Sequence, residues 1–142
     1  MVSVYDKAKY HYDGDFPEDI KIEQAFVHTG MFLGWIIDHQ LFSHDFEEEA
    51  QIEIQKFYRR ELTGTQIYMN WDGVLASDML NDEGNQFAQA YFDFDTGHYL
   101  DDYQDTFPDV ETLYHVIDNW ENYQKLKEIM DERYVDWQKE NR

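Results

Sequence analysis

The sequence contains no cysteine, and it has no apolar run long enough to cross a membrane. The absence of cysteine excludes a disulfide framework, a thiol nucleophile and a thiolate metal site, and it is compatible with a reducing compartment. The first residues, MVSVYDKAKYHYDGDF, also lack the apolar run of a signal peptide. We therefore expect a cytoplasmic protein with no membrane partner.

The common catalytic motifs are absent as well. The chain has no glycine-rich phosphate loop, no G-x-S-x-G elbow and no H-E-x-x-H zinc motif. Because these motifs are the strongest sequence evidence for an enzyme, their absence favours a binding protein. We predict no catalytic residues and no cofactor.

Basic residues are missing from a long central part of the chain. Residues 61–124 contain fourteen carboxylates and no Lys or Arg, and the whole chain has a formal charge of −20. A charge of this size opposes compaction, and it repels nucleic acid phosphates and anionic membranes. We therefore expect no nucleic acid partner, and a basic protein becomes the favoured partner.

Apolar residues are nevertheless abundant. Hydrophobic residues make up 42% of the chain and aromatic residues 18%, which provides enough apolar area for a core. A single core commonly organises about 100 to 200 residues. We therefore expect residues 1–142 to fold as one domain.

The spacing of apolar residues predicts a mostly α fold. The clearest patterns are a central apolar helix over residues 22–42 and a long C-terminal helix over residues 119–139, which follows a D-x-x-E capping box at residues 118–121. Four shorter helices are predicted, over residues 46–62, 65–70, 83–94 and 98–107. Residues 5–17 are interpreted as a short helix or turn with a loop, and residues 112–116 as an extended segment. The expected architecture is a single-domain bundle of about five to six helices of unequal length.

Two glycines lie one turn apart in the central helix. Gly30 and Gly34 each cost up to about 1 kcal/mol relative to alanine in a helix interior. Close approach of another helix, or of an aromatic ring, is the expected compensation.

The most acidic and aromatic stretch is YFDFDTGHYLDDYQDTF, residues 91–107. Its aspartates offer partners for Lys or Arg, and its tyrosines offer rigid anchors, as at a protein interface. The same pattern also fits short helices with aromatic inner sides and solvated outer sides. On the interface interpretation, the partner-binding residues are Asp93, Asp95, Tyr99, Asp101, Asp102, Tyr103 and Asp105.

Histidines near carboxylates indicate an alternative function, a metal-binding protein or a metal-dependent hydrolase. The candidate ligand groups are His98 with Asp101 and Asp102, and His11 with Asp13 and Asp15. Because acids are so frequent here, such spacings are expected by chance, and we do not predict a metal site from them. His28 lies in the apolar helix and is interpreted as a core histidine bonded to the N-terminal segment.

Four segments resemble a family of small bacterial proteins of unknown function: YDKAKYHYDGDFP, AFVHTGMFLGWIID, FAQAYFD with GHYLDDYQ, and HVIDNWENYQKLKEIMDERYVDW. The most recognisable residues are Tyr5, His11, Gly14 to Pro17, His28, Gly30 to Phe32, Trp35, Tyr99, Leu100, Asp102, Tyr103, Trp120 to Tyr123 and Trp137. The resemblance implies a small, helical, cytoplasmic protein and supplies no catalytic residues. In size, charge and single-domain build, such proteins are similar to the immunity proteins that accompany secreted bacterial toxins.

We predict an acidic protein-binding module, an immunity-type inhibitor that binds and neutralises a basic cognate toxin such as a nuclease. A nuclease holds phosphate with cationic residues, so an acidic surface can occlude its site and associate rapidly by electrostatic steering. The further alternative is a regulatory adaptor or a homo-oligomeric structural protein, in which Trp120 and Trp137 are buried against a second chain.

Overall fold

Helices form most of the computed structural model, which describes residues 2–141. Two short strands, β1 (Val4–Lys7) and β2 (Val74–Ala76), pair with each other. Within the described residues the α-helices are α1 (Ala8–Tyr12), α2 (Val27–Asp38), α3 (His44–Glu49), α4 (Gln51–Tyr58), α5 (Gly64–Asn70), α6 (Asp82–Tyr91), α7 (Tyr99–Thr106) and α8 (Trp120–Glu140). Three 3-10 turns lie at Ile22–Phe26, Ser77–Met79 and Leu113–His115. The predicted mostly α fold is confirmed, with more and shorter helices than expected.

The central helix is α2, and it is surrounded by the rest of the chain. Residues 27–37 are all buried, as in a helix that is covered on every side. The helix is shorter than the predicted range of 22–42, because a 3-10 turn precedes it and Gln40 adopts a left-handed φ of 54° just after it. This residue reverses the chain, and Leu41 N donates to Ile36 O at 3.0 Å to close the helix end. One hydrophobic core forms around α2, with contributions from each of the other helices.

Helices α2 and α5 cross at their glycines. A methyl group on Gly30 would overlap the Cα of Thr65, and one on Gly64 would lie 2.7 Å from the Cα of Gly34. On the neighbouring turn, a methyl group on Gly34 would lie 3.1 Å from a ring carbon of Phe57. The predicted compensation for both α2 glycines is confirmed, since one meets a helix backbone and the other an aromatic ring.

Residues 46–62, predicted as one helix, form α3 and α4 with a kink at Ala50. Ala50 N donates to Phe46 O and Ile54 N donates to Ala50 O, both at 2.8 Å, so the helical bonding continues through the kink. The buried side chains therefore keep a common stripe that faces the core. Helix α4 ends before residue 62 because Arg60 adopts a left-handed φ of 59°.

The C-terminal helix α8 is confirmed, although its cap is not the predicted one. Asn119 Oδ1 accepts a hydrogen bond from Asn122 N at 2.7 Å and caps the helix. The carboxylate of Asp118 is bonded elsewhere, because it accepts from Thr63 Oγ1 at 2.7 Å and from Thr65 Oγ1 at 2.9 Å. These bonds fix the start of α8 to the start of α5.

The predicted extended segment at residues 112–116 is wrong. Thr112 Oγ1 accepts from Tyr114 N at 3.1 Å and makes a second bond with His115 Nδ1 at 2.7 Å. Both bonds favour a tight turn, so Leu113–His115 forms a 3-10 turn.

The N-terminal strand brings a buried carboxylate under α2. Strand β1 pairs antiparallel with β2, with Asp6 opposite Leu75 and a bulge between Val4 and Asp6. Bulges redirect side chains, and here the Asp6 side chain is buried against Thr29 of α2. The sequence predicted no strand here, because the pairing joins residues about 70 positions apart.

Replacement of Gly30 by alanine is expected to lower the free energy of unfolding by about 2 kcal/mol or more, because the added methyl group meets backbone atoms of α5. Gly34→Ala is the matched control in the same helix. Its methyl group would lie 3.1 Å from the edge of the Phe57 ring and would meet no backbone atom of α5, and alanine restores about 1 kcal/mol of helix propensity. Urea unfolding measures both effects, and equal stabilities for the two variants would contradict the backbone contact.

Candidate functional site

The predicted interface, residues 91–107, spans the end of α6, a turn and α7. Four of its aspartates are exposed: Asp93, Asp95, Asp101 and Asp105. The remaining predicted residues, Tyr99, Asp102 and Tyr103, are buried. The stretch therefore divides into an acidic outer face and an aromatic inner face.

Tyr99 and Tyr103 do not face outward, and their prediction as interface anchors is wrong. Both are fully buried, because they lie one turn apart on the side of α7 that meets α2. The hydroxyl of Tyr99 donates to the backbone carbonyl of His28, and its ring lies 5.1 Å from that of Phe92. Burial raises the pKa of both tyrosines well above its ordinary value, so both are neutral parts of the core.

Asp102 is a structural carboxylate, so its prediction as a partner-binding residue is also wrong. It is 4% exposed and accepts two hydrogen bonds from Arg133, from Nε and Nη2, both at 2.9 Å. The hydroxyl of Tyr91 donates to it at 2.7 Å. These bonds to Asp102 raise the pKa of Arg133. The pair connects α7 to α8, and the Asp102 carboxylate is not available to a partner.

Asp93 combines exposure with a local structural role. Its Oδ1 accepts from Asp95 N at 2.8 Å and from Thr96 N at 3.0 Å. These backbone donors, with Thr96 first, lower the pKa of the Asp93 carboxyl. The bonds hold the turn between α6 and α7, so the exposed acids before α7 occupy fixed positions.

Neither candidate ligand group of the metal alternative is brought together by the fold. Among residues 2–141, two groups of three place their ligand atoms within 4.8 Å of one another: Asp6 with His11 and His28, and Asp19 with Glu111 and His115. His98 is exposed at the start of α7, while Asp102 is held by Arg133. His11 turns away from the exposed Asp13 and Asp15 toward the buried cluster.

Asp6, His11 and His28 form the buried cluster, here called the Asp6 cluster. Nε2 of His11 lies 2.9 Å from Oδ1 and 3.0 Å from Oδ2 of Asp6. Nε2 of His28 lies 3.3 Å from Nε2 of His11 and 3.7 Å from Oδ2 of Asp6. The three ligand groups therefore point at one another.

Neighbouring side chains hold the Asp6 cluster in place. Thr29 Oγ1 donates to Asp6 Oδ2 at 2.5 Å, and Nδ1 of His11 bonds with the hydroxyl of Tyr114 at 2.8 Å. The predicted bonding of His28 to the N-terminal segment is confirmed by its contact with His11. Sequence reasoning missed Asp6, because only the pairing of β1 with β2 brings it beneath α2.

His28 is fully buried, and its burial decides its charge. Burial lowers the pKa of His28 to about 3; the nearby Asp6 charge opposes that shift and His11 adds to it. No hydrogen-bond partner contacts its Nδ1 among the described residues. His28 is therefore neutral near neutral pH.

The tryptophans of the oligomer alternative pack within their own chain. The Trp120 ring lies 5.4 Å from that of Phe57, and the Arg60 guanidinium covers it at 4.6 Å. The Trp137 ring lies 5.5 Å from that of Phe87. Both side chains are nevertheless only partly buried within the chain.

Asp102→Asn is expected to lower the free energy of unfolding by about 2 kcal/mol, because it weakens charge-assisted hydrogen bonds to a buried group. Its neighbour provides the control, since Asp101→Asn changes an exposed side chain and should alter stability by less than about 0.5 kcal/mol. Denaturant unfolding at neutral pH measures both. Similar losses of stability in the two variants would show that Asp102 is no more buried than Asp101.

The neutral state of His28 predicts a pH dependence of stability. Because the folded pKa lies near 3 and the ordinary value is 6.5, the unfolded chain takes up the proton first as the pH falls. The stabilisation is complete above pH 6.5 and is lost as the pH falls toward 3. Between pH 7 and pH 5, His28 should account for a loss of about 2 kcal/mol.

Chelator-treated wild type and His28→Gln, unfolded in urea at both pH values, measure this loss. The wild type should lose about 2 kcal/mol more than the variant. His44→Gln is the control, because His44 is exposed. The same pH dependence in wild type and His28→Gln would exclude His28 as its source.

Comparisons with known proteins identify a family. A family model described as "Domain of unknown function (DUF7832)" matches residues 4–116. No curated protein and no solved structure matches the chain. The matched range includes both the Asp6 cluster and residues 91–107. Among the described residues, no helix has the length and apolar character needed to cross a membrane.

Proposed function

We propose that this chain, which belongs to the DUF7832 family of domains of unknown function, is an acidic module that binds a basic protein partner. The family match confirms the resemblance to a family of unknown function. The proposed contact surface, here called the acidic face, consists of Asp93, Asp95, Asp101 and Asp105.

One observation carries the proposal: the acidic face has no basic partner within the described residues. Residues 61–124 contain fourteen carboxylates. Only three of these form salt bridges with a Lys or Arg of residues 2–141: Glu61, Asp102 and Glu121. The four aspartates of the acidic face belong to the others, and all four are exposed. No Lys or Arg of residues 2–141 forms a salt bridge with these four aspartates, and a cationic surface would relieve their repulsion.

The shape of the acidic face favours recognition by charge. Asp101 and Asp105 lie one turn apart on α7, and buried aromatic side chains fix the orientation of that helix. A fixed array of like charges steers an oppositely charged partner and excludes acidic proteins. Since Tyr99 and Tyr103 are unavailable as anchors, affinity should depend on salt more strongly than at an aromatic interface.

The finer form of the proposal is an immunity-type inhibitor of a basic toxin such as a nuclease. Its support is the net charge of −20 and the occurrence, within 13 residues of chain, of four exposed acids that form no salt bridge with Lys or Arg among the described residues. Nucleases bind phosphate through cationic side chains, so aspartates at fixed spacing can occupy the same positions. In this form, binding blocks the toxin's substrate site, and the inhibitor performs no chemistry.

Charge reversal of the acidic face tests the proposal. The double variant Asp101→Lys with Asp105→Lys should weaken binding to the protein encoded by the neighbouring gene by about 100-fold, mostly through slower association. Binding of the wild type should also weaken steeply as the salt concentration rises, and this slope should decrease in the variant. Surface plasmon resonance at several salt concentrations measures both quantities.

The matched control reverses two acids elsewhere. Glu128 and Glu132 are exposed, lie one turn apart on α8 and form no salt bridge with Lys or Arg within residues 2–141. Glu128→Lys with Glu132→Lys changes the net charge equally, and it should weaken binding by less than about 5-fold. Equal losses in both double variants would assign the effect to net charge, and unchanged binding in the first would exclude the acidic face.

A further inference from the structure

We propose that Asp6, His11 and His28 bind a divalent transition-metal ion of the Zn²⁺ class. The ligand atoms are Nε2 of each histidine and one carboxylate oxygen of Asp6. This site is independent of the acidic face and of the function proposed above, because it shares no residue with either.

The distances within the Asp6 cluster match those between ligands of a tetrahedral ion. Metal–nitrogen bonds of about 2.0–2.1 Å place the ligand atoms of such an ion about 3.3 Å apart. The two Nε2 atoms are 3.3 Å apart. Oδ2 of Asp6 lies 3.0 Å from His11 Nε2 and 3.7 Å from His28 Nε2, and these distances lie on either side of that value. Small side-chain rotations complete the geometry.

Charge at Asp6 points to a cation. Asp6 is 2% exposed, and among the described residues its ion-pair partners are histidines, which carry a charge only when protonated, with no Lys or Arg. The other buried carboxylate, Asp102, has Arg133 beside it. Buried charges in proteins are paired with an opposite charge or coordinate a metal ion. Asp6 has no permanently charged partner there, and it has the ligand groups for the second arrangement.

The facing imidazoles give a second, independent indication. Two nitrogen atoms 3.3 Å apart can share one proton, but a metal ion accepts the lone pairs of both. Metal binding through Nε2 places the remaining proton of His11 on Nδ1, where it donates to the Tyr114 hydroxyl at 2.8 Å. Thr29 Oγ1 donates to Asp6 in the same way. Such outer partners orient the ligands of protein metal sites.

The ion joins three elements that are separate in the sequence. Asp6 lies on β1, His11 on α1 and His28 on α2, so one ion links the N-terminal segment to the central helix. Burial leaves little room for substrate, because the His11 side chain is 15% exposed and His28 is fully buried. Three protein ligands leave the fourth position of a tetrahedral ion for a water molecule, and a substrate could not reach that position through the core. We therefore assign the ion a stabilising role.

Metal titration of chelator-treated protein tests the site. ZnCl₂ should bind with one ion per chain and raise the thermal midpoint by about 5 °C or more at a hundredfold excess over Kd. CoCl₂ should produce the visible d–d absorption of a four- or five-coordinate ion. The absence of saturable binding by either metal overturns the proposal.

Variants locate the binding. Asp6→Asn keeps the side-chain shape and should weaken Zn²⁺ binding beyond the roughly 10- to 100-fold loss that follows changes to outer partners. His115→Gln is the control, because His115 belongs to the other converging group, with Asp19 and Glu111, where both carboxylates are exposed. Binding that survives Asp6→Asn and is lost in His115→Gln overturns the assignment.

A spectroscopic measurement on the wild type tests the site even if the variants fail to fold. Long-range proton–nitrogen correlation spectra of the imidazoles should show a Zn²⁺-dependent shift at Nε2 of His11 and His28. His44, which is exposed, should not shift. Shifts confined to His44 or His115 identify adventitious surface binding and overturn the proposal.

Discussion

Close packing of α2 against α5 is the constraint on which the other contacts depend. Gly30 on α2 and Gly64 on α5 allow the two backbones to approach where a side chain at either position would collide with backbone atoms of the other helix. The approach places Thr65 beside Asp118, and Thr65 Oγ1 donates a hydrogen bond to the Asp118 carboxylate at 2.9 Å. The start of α8 is thereby fixed to the start of α5, and α8 then covers another side of α2. A helix that is buried on every side requires neighbours that pack this closely.

Helix α7 separates charge from aromatic surface within eight residues. Tyr99 and Tyr103 enter the core one turn apart, while Asp101 and Asp105 lie one turn apart in solvent. Asp102 lies between these two sides of α7, and its buried charge is paired with Arg133 of α8. The buried aromatics therefore orient the exposed acids. A surface fixed in this way loses less conformational entropy when it binds a partner than a mobile acidic loop would.

Apolar spacing predicts the features that depend on neighbours along the chain. The existence of α2 and α8 and the close approach at Gly30 follow from local pattern, and the structure agrees. The exposure of Tyr99 does not follow, because spacing shows that aromatic and acidic residues occupy opposite sides without showing how much of each ring the core covers. The Asp6 cluster is still harder to predict from the sequence. It requires a strand pairing across about 70 residues, and strand pairing at that separation leaves no periodic signal in a short segment.

The two proposed sites have a common electrostatic cause and different access to solvent. A net charge of −20 raises the free energy of every carboxylate, and the increase is largest where water cannot screen it. Solvent ions or a basic partner can offset the exposed acids of α7. Asp6 can be offset only by a group inside the chain, and His28 remains neutral there because burial lowers its pKa to about 3. A cation therefore stabilises the protein more at Asp6 than at any exposed aspartate. This difference does not depend on whether the acidic face binds a partner.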